Sequence, residues 1–482
     1  MTLVEDMVEE PAGQRPAQSA RVAIIGGGAS GVLTAINLLV RSEDPALEVV
    51  IHEASGILGR GIAYGTNDRR HLLNVRARHM SAFPDAPSDL LDWAIRTGRS
   101  DDPQGFLPRA DYANYLQDRL ADVADDRLRV RAGQVLDVVP GADGADGFEI
   151  VTERSRSTAS AVVLCHGNQP PRPLETDGGL LPDAPWHIAN PWDLSRLRTL
   201  PGDAEVLVVG TGLTAVDTVI TLLEDSADRR VTMISRSARL PKPHVGQAHT
   251  AWVTTMPEGA VTADQLAEHF AEQCRAAEER GVGWRAVVDG LRPITQDLWR
   301  RLPLAERRRF LEVHAREWEV RRHRMAPDVA LRLQRYRYEG RLAVRSGRLP
   351  EVTDHGRRCS LTVGNDEASY DAIVNCTGPL GDPRLSEDPL LRALLSRGTA
   401  APDPLALGLD STVDGRVVDA RGEVVAGCYV VGPPRRGTLW ESTAIPEIRA
   451  QAARVAAALV EVGAHERRPG STTVGAHDLA AR

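Results

Sequence analysis

The fold of this chain is decided by a glycine-rich stretch close to its start. Residues 21–40 read RVAIIGGGASGVLTAINLLV, which predicts a short apolar strand, a tight turn and a helix. Gly26, Gly28 and Gly31 form the pattern G-x-G-x-x-G directly after the strand. In such a turn the first glycine allows the bend, the second lets the backbone approach a pyrophosphate, and the third lets helix and strand pack closely. The helix N-terminus attracts phosphate charge, so these residues predict a dinucleotide site.

The strand that follows adds an acidic residue to this site. Residues 47–52, LEVVIH, lead into Glu53, which lies 22 residues after Gly31. In dinucleotide-binding folds an acid about 20 residues after the glycines binds the ribose hydroxyls. We therefore predict that Glu53 binds the adenosine ribose. The alternative is a glycine-rich turn in an unrelated α/β protein.

A second stretch repeats the arrangement in mid-chain. Residues 204–223 read AEVLVVGTGLTAVDTVITLL, in which Gly210, Gly212 and Ala215 form the variant G-x-G-x-x-A. The helix is predicted to begin near Thr214, where its N-terminus would face phosphate. These four residues predict a second dinucleotide site.

The end of the next predicted strand, VTMIS, indicates which nicotinamide cofactor the second site takes. An NAD site places a carboxylate there, whereas this chain has Ser235 and Arg236. A guanidinium binds phosphate bidentately and suits the 2′-phosphate of NADP, which a carboxylate would repel. We predict NADPH rather than NADH. The alternative is that Arg236 is a solvated surface arginine.

Composition and charge limit the classes of partner. The 482 residues suggest about three folding units, and 42% hydrophobic with 26% charged residues is typical of a globular protein. Lys and Arg total 58 against 66 Asp and Glu, a net charge of −8 that offers no reason to expect nucleic acid or anionic lipid. No run of about eighteen apolar residues predicts a membrane span. We expect neither partner, and the oligomeric state stays open.

The cysteines exclude one redox class and indicate a compartment. The five lie far apart in the sequence, at Cys165, Cys274, Cys359, Cys376 and Cys428. This spacing disfavours a disulfide scaffold and a zinc site, and it lacks the Cys-x-x-Cys pair of a disulfide reductase. A cytoplasmic location and no metal are therefore expected. Cys165 and Cys376 are predicted to be core residues.

Two nucleotide sites in one chain point to a flavin. A protein that holds a second nucleotide beside NADPH commonly passes the hydride to a flavin. The order of the fingerprints resembles the flavoproteins with two dinucleotide-binding domains, in which the N-terminal site holds FAD. Residues 161–168 and 371–379, AVVLCHGN and DAIVNCTGP, resemble their domain-crossing motifs, with His166 in place of the usual threonine. The resemblance implies an α/β fold with two Rossmann-like dinucleotide-binding domains, one for FAD and one for NADPH.

The stretch near the C-terminus carries the most specific resemblance. Residues 428–452, CYVVGPPRRGTLWESTAIPEIRAQA, resemble the closing FAD motif of a bacterial family of FAD/NAD(P)-binding proteins. Pro433 stands where the wider superfamily has an aspartate that holds a ribityl hydroxyl. A last helix is predicted over 446–462, and a proline at its start is harmless. The resemblance implies FAD contacts from Gly432, Trp440, Ser442, Thr443 and Pro446.

The same family resemblance covers nearly the whole chain outside its ends. Arginine-rich helical patterning from residue 262 to 345 predicts an insertion. The predicted division is a tail at 1–20, a discontinuous FAD-binding domain at 21–170 and 371–462, an NADPH-binding domain at 171–261 and 346–370, the helical insertion at 262–345, and a tail at 463–482.

The family is similar to the N-hydroxylating and Baeyer–Villiger flavin monooxygenases, which use FAD, NADPH and O₂. The resemblance implies a monooxygenase that N-hydroxylates a small amine or amino acid, such as an aspartate-like substrate, through a C4a-hydroperoxyflavin. Two enzymatic alternatives stay open on the same scaffold, a flavin oxidase and an NADPH-dependent electron-transfer reductase. A third alternative is a flavin redox sensor without enzymatic activity.

Candidates for catalysis and substrate binding follow from two further segments. Asn74, in HLLNV, is a candidate for hydrogen bonding to the oxygen adduct or the nicotinamide carboxamide, the alternative being a loop cap. Arg322, His323 and Arg324 are candidates for binding an anionic substrate group. Consecutive side chains cannot share one helical face, so the alternative is that most are solvated or paired with nearby glutamates.

Overall fold

The computed structural model describes residues 20–141, 147–245, 251–254, 257, 259, 261–363 and 366–466. Its largest sheet has six strands, five of them parallel. The antiparallel strand is the edge strand Arg416–Val418. In spatial order the strands are Arg416–Val418, Val424–Val430, Ala161–Leu164, Arg21–Ile25, Glu48–Glu53 and Leu128–Ala132.

Both faces of this sheet are covered, as expected for parallel strands. Alternate residues of Arg21–Ile25 enter two different hydrophobic clusters, so Val22 and Ile24 pack on one face and Ala23 and Ile25 on the other. The first face is covered by the helices Ala29–Arg41, Arg109–Val123 and Ile445–Glu466. The second is covered by the helix Pro389–Arg397 and a three-stranded antiparallel sheet, Val135–Pro140, Phe148–Thr152 and Arg156–Ala159.

A second, five-stranded parallel sheet carries the second glycine fingerprint. Its spatial order is His187–Ile188, Ala372–Asn375, Glu205–Val209, Arg230–Ser235 and Leu342–Ser346. The helices Leu213–Asp225 and Pro327–Tyr338 pack on one face. An antiparallel sheet of Thr353–Asp354, Cys359–Val363 and Asp366–Tyr370 packs on the other. Because strand ends of a parallel sheet meet at one edge, each fingerprint lies where a dinucleotide binds in this class of fold.

The insertion is helical, as its patterning indicates. Its first helix starts with a capping box, in which the Thr262 hydroxyl accepts from the Gln265 N–H and the Gln265 side chain accepts from the Thr262 N–H. The helical segments are Ala263–Glu279, Trp284–Leu291, Thr295–Arg301, Leu304–Arg309, a π-helical turn Phe310–His314, Ala315–Arg322 and Pro327–Tyr338.

The remaining elements are short. They are the strands Glu175–Thr176 and Gly179–Leu180, the helices Gly61–Tyr64, Asp89–Arg96, Leu194–Arg198 and Arg436–Leu439, and the 3₁₀ turns Ala77–His79, Arg292–Ile294 and Pro383–Leu385. Among the helices of the described ranges, none has both the length and the apolar character needed to cross a membrane.

Sheet pairing assigns two segments to a different domain from the one predicted. Leu342–Ser346, assigned to the insertion up to residue 345, pairs with Arg230–Ser235 in the second sheet. Ala372–Asn375, assigned to the FAD-binding domain, pairs with Glu205–Val209 in the same second sheet. Strand membership depends on partners more than 100 residues away, which local patterning does not reveal. The predicted tails, apart from residue 20 and the helix end at 463–466, lie outside the described residues.

Candidate active site

The first fingerprint forms a tight backbone cradle after the strand Arg21–Ile25. Gly26 has φ +105°, and a Cβ there would lie 2.5 Å from the Cys165 carbonyl oxygen. A Cβ at Gly31 would lie 1.9 Å from the Gly26 carbonyl oxygen, so helix and strand pack as predicted. At Gly28 the nearest atom would be the Gly61 Cα at 3.6 Å. The cradle is therefore closed by backbone on two sides and accessible at Gly28.

A cavity of about 290 Å³ opens from this cradle. His52 and His166 line it, and the Nδ1 atom of each is buried without a hydrogen-bond partner within the described part of the chain. Burial lowers the pKa of both imidazoles to about 4. Two neutral imidazole rings on the cavity wall are suited to hydrogen bonding with a bound polar molecule.

Glu53 lies at the end of the second strand, beside the cradle. Its Oε2 atom accepts from the Gly27 N–H at 2.7 Å. Its Oε1 atom accepts from the Ser55 N–H at 3.1 Å and from the Ser55 hydroxyl at 2.9 Å. These bonds hold the carboxylate at the cavity, which it helps to line, in the place predicted for the ribose contact.

Residues 428–452, called the closing segment below, border the same cavity. Gly432 has φ +94°, and a Cβ there would lie 2.4 Å from the Ser30 hydroxyl, at the start of the first helix. Pro433 and Thr443 line the cavity. Ser442 is fully buried, and its hydroxyl is without a partner among the described residues. Pro446 is the second residue of the helix Ile445–Glu466, one residue from the predicted start.

The second fingerprint forms a matching cradle. Gly210 has φ +122°, and a Cβ there would lie 2.1 Å from the Cys376 carbonyl oxygen. A Cβ at Gly212 would meet no protein atom within 4 Å, so the backbone there faces open space. Thr214 is the second residue of the helix Leu213–Asp225, and Ala215 is fully buried against the sheet. The open space at Gly212 is the space that a pyrophosphate needs.

Cationic side chains gather at the end of the neighbouring strand. Arg236 is exposed directly after Ser235, whose hydroxyl lies 2.9 Å from that of Thr211. Arg316 reaches this loop from the insertion and donates to the Thr211 hydroxyl at 2.9 Å. Arg316 is not among the predicted site residues, because 105 residues separate it from Thr211 and no local motif marks it.

Comparison with known proteins supports this interpretation of the first cradle. The model of a family described as FAD-NAD(P)-binding matches residues 23–169, which contain the first fingerprint and Glu53. Residues 23–169 are thus similar to an FAD-NAD(P)-binding domain. The description agrees with the predicted cofactors, FAD and NADPH. No curated protein matches the sequence.

Solved structures with the same fold include N-hydroxylating enzymes. Ornithine hydroxylase from Pseudomonas aeruginosa aligns with a TM-score of 0.64 at 17% identity, over 92% of this chain and 99% of that one. The ornithine N-hydroxylase of Kutzneria sp. 744 gives 0.61 at 15%, over 93% and 100%. The L-lysine 6-monooxygenase of Pseudomonas syringae gives 0.61 at 18%, over 91% and 99%. The predicted α/β fold and the resemblance to this group are confirmed.

Trp440 lies away from the cavity of the FAD-NAD(P)-binding domain, although its segment closes that cavity. Its indole stacks on Trp299 of the insertion, with ring centroids 5.2 Å apart, and meets Phe310 edge-on at 5.3 Å. The indole of Trp440 therefore packs on the insertion, and its predicted contact with FAD stays a prediction. A backbone turn at this residue directs the side chain outward from the motif.

Asn74 lies on the loop between the helix Gly61–Tyr64 and the 3₁₀ turn Ala77–His79. Its side chain is half-buried, and its carbonyl oxygen lies 2.9 Å from His244 Nε2. Burial, with a smaller effect of the Arg324 charge, lowers the pKa of His244 to about 4. The neutral ring thus donates to the Asn74 carbonyl and joins the loop to the second domain. Asn74 lines neither the cavity of the first cradle nor the cavity beside the insertion.

Arg322 and Arg324 are buried in ion pairs. Arg322 is 5% exposed, with an Nη2 atom 3.2 Å from Glu441 Oε2 and 3.5 Å from Glu447 Oε1. Arg324 is paired with Asp289. Burial lowers the pKa of His323, which lies between them. The carboxylates that hold these arginines come from the closing segment and the insertion, so the predicted role in substrate binding stays a prediction.

The cysteines of the described chain are free thiols. Cys165 and Cys376 are buried, and burial raises the pKa of each to about 12. Each lies behind a glycine cradle and within reach of a helix threonine, Thr34 at 3.9 Å and Thr218 at 3.4 Å. These contacts are those of core residues, as predicted.

Proposed function

We propose that this chain is an FAD- and NADPH-dependent monooxygenase that N-hydroxylates an amine. The observation that carries the proposal is the pair of glycine cradles, at Gly28 and Gly212, on two parallel sheets of one chain. Two such cradles suit two dinucleotides. The fold they belong to is shared with hydroxylases of ornithine and lysine. We further propose, as the sequence predicts, a small-molecule substrate, O₂ as co-substrate and a cytoplasmic location.

The overall reaction balances as R–NH₂ + O₂ + NADPH + H⁺ → R–NHOH + H₂O + NADP⁺. Bound FAD supplies the chemistry, since it accepts the hydride of NADPH and transfers one oxygen atom of O₂ to the amine. The protein binds and orients the two nucleotides. It also keeps water away from the reacting groups.

Named residues of the first site fit FAD. Gly28 leaves room for a pyrophosphate at the N-terminus of the helix Ala29–Arg41. Glu53 is held where it can accept hydrogen bonds from ribose hydroxyls. His166 and Thr443 line this cavity and bring polar groups to a bound flavin nucleotide.

Named residues of the second site fit NADPH. Gly212 leaves room for the pyrophosphate, and Thr214 lies in the first turn of the helix that faces it. Arg236 is exposed at the end of the strand that carries the ribose contact in this type of fold. Its guanidinium can bind a 2′-phosphate bidentately.

The proposal is tested by supplying amines and amino acids to the flavin-loaded protein with NADPH and O₂. NADPH consumption, hydroxylamine product and hydrogen peroxide are measured in parallel. A monooxygenase forms hydroxylamine in near-equal amount to the NADPH consumed. Peroxide in equal amount without hydroxylamine identifies an oxidase. NADPH consumption only with an added electron-accepting protein identifies a reductase. Absence of catalytic NADPH consumption supports the redox sensor.

A further inference from the structure

A cavity of about 430 Å³, open to solvent on one side, is lined mainly by the insertion. This volume is within the range of small-molecule sites. The cavity lies between two hydrophobic clusters of the insertion, one around Trp299 and one around Leu291, which meet at Trp318. Five aromatic rings contribute to its mostly apolar wall, those of Phe270, Trp299, Phe310, Trp318 and Trp440.

One helix contributes several residues to the wall. Ala267, Phe270 and Cys274 of the helix Ala263–Glu279 line the cavity. They are spaced three and four residues apart, so they share one helix face. The small side chain of Ala267 leaves room that a longer side chain would fill.

Charged side chains that reach the cavity are already paired. Glu317 pairs with both Arg239 and Arg321. His314 Nε2 lies 2.6 Å from Asp264. The Arg321 guanidinium also lies 5.9 Å from the ring centroid of Phe270. A free amino acid would therefore bring a carboxylate and an ammonium to a wall that offers them mostly apolar surface, which is costly.

A strained backbone directs Trp440 into this wall. Trp440 has φ +61° and ψ −65°, and the Glu441 N–H donates to the Leu439 carbonyl at 2.7 Å. This is the three-residue turn that non-glycine residues rarely adopt. Such strain persists only where the surroundings hold it, and it concentrates at functional sites. The Arg436 guanidinium lies 4.5 Å from the indole centroid.

Trp440 also joins this cavity to the first cofactor site. Ser442 and Thr443 follow it directly, and Thr443 lines the cavity of the first cradle. A ligand held against Trp440 would therefore lie beside the segment that closes the FAD site. A π-helical turn, Phe310–His314, contributes Phe310 and His314 to the wall. Such turns are frequent at functional sites.

We propose that this cavity binds the aromatic group of the substrate, so that the amine acted on is an aromatic amine. That the bound amine is hydroxylated rests on the proposed function. That an aromatic amine binds does not, because binding depends only on the cavity. Rings of the wall would pack edge-on or offset against the ligand ring. Arylamines are uncharged at neutral pH, so they avoid the cost of burying an ammonium.

The test is calorimetric titration of the flavin-loaded protein with aniline and, separately, with L-ornithine and L-aspartate. Aniline should bind with a negative heat-capacity change between two temperatures, the sign of apolar burial. Ala267→Leu, which narrows the cavity, should weaken aniline binding about tenfold. The matched control is Ala276→Leu on the same helix, two and a half turns further and on the opposite face. It should leave aniline affinity unchanged.

Each outcome decides one proposal separately. Aniline binding that Ala267→Leu weakens and Ala276→Leu does not supports the cavity, even if no hydroxylamine forms. Binding of L-ornithine or L-aspartate in preference to aniline overturns the cavity proposal, even if those amines are hydroxylated. Equal effects of the two alanine variants also overturn it. Full flavin content, measured from the absorbance of the bound cofactor, shows that each variant is folded.

Discussion

At the residue scale, substitution of Gly212 tests cofactor binding without disturbing the fold. Its φ of −82° is open to any residue, and an added Cβ would meet no protein atom within 4 Å. Gly212→Ala should therefore fold normally. The methyl group would occupy the approach of the pyrophosphate, so we expect the KM for NADPH to rise about tenfold or more, which is about 1.4 kcal/mol. Steady-state kinetics and thermal unfolding measure the two effects.

A matched control for this prediction is Gly202→Ala. A Cβ there would lie 3.6 Å from the Ser226 hydroxyl, an ordinary contact, in the loop before the strand Glu205–Val209. We expect no change in the KM for NADPH. An unchanged KM in Gly212→Ala itself would show that the second cradle does not hold the cofactor pyrophosphate.

Arg236 decides the choice between nicotinamide cofactors. It is exposed at the end of its strand, whereas the nearby Arg239 is paired with Glu317. Arg236→Ala should lower kcat/KM for NADPH by about tenfold to a hundredfold, the range of one charge-assisted phosphate contact. It should leave kcat/KM for NADH almost unchanged. Kinetics with both cofactors give the ratio, and an equal loss with NADPH and NADH would contradict the assignment.

At the element scale, a buried ion pair joins the insertion to the closing segment. Arg322 ends the helix Ala315–Arg322 and lies against Glu441 and Glu447, with both arginine and Glu441 at most 5% exposed. Removing one partner of a buried pair leaves an uncompensated charge. We expect Arg322→Ala to lower the free energy of unfolding by about 3 kcal/mol, measured by chemical denaturation.

Arg337 supplies the control for this prediction. It is exposed on the helix Pro327–Tyr338. Arg337→Ala should change the free energy of unfolding by less than about 0.5 kcal/mol, as is usual for surface substitutions. If Arg322→Ala is as mild as Arg337→Ala, the pair does not hold the insertion in place.

Local patterning located the last helix and the strand before the first fingerprint within a few residues. The last helix, predicted over 446–462, spans Ile445–Glu466, and the strand predicted at 22–25 spans Arg21–Ile25. Periodicity and capping are local properties, which explains this agreement. Assignment of Leu342–Ser346 and Ala372–Asn375 to a sheet needed the pairing itself.

At the scale of the whole molecule, a buried polar network joins the first domain to the second fingerprint helix. His71 is 2% exposed, and its Nε2 atom lies 2.8 Å from the Thr221 hydroxyl. Thr221 in turn donates to Asp68 at 3.0 Å. Arg109 Nη2 lies 3.1 Å from Asp217 Oδ2. These contacts fix the two cradles relative to each other, so each cofactor site depends on the fold of both domains.

Buried histidines make the stability of the whole molecule sensitive to acid. Burial lowers the pKa of His52, His166 and His244 from 6.5 to about 4. Below pH 6.5 the unfolded chain takes up protons that the folded chain does not, so stability is full above this pH and is lost as the pH falls towards 4. We expect the free energy of unfolding to fall over this interval by up to roughly 3 kcal/mol for each histidine. The Tm should fall with it.

The substitution His244→Gln isolates one contribution. Glutamine keeps a donor for the Asn74 carbonyl and does not titrate, so the loss of stability between pH 6.5 and pH 4 should be smaller than in the unmodified protein. Thermal unfolding at several pH values measures the difference. Identical pH profiles for the two proteins would show that His244 is not held neutral by burial.

The amino-acid sequence by itself determined the two glycine cradles, the acid at Glu53, the cation at Arg236 and the fold class. These depend on steric and charge requirements that neighbouring residues in the chain satisfy. Only the tertiary structure decided which side chains meet across the insertion. It directed Trp440 into the aromatic cavity and brought Arg316 to the second cradle. It paired Arg322 with the closing segment. Contacts of this kind join residues about 100 or more positions apart, and packing rather than local pattern selects them.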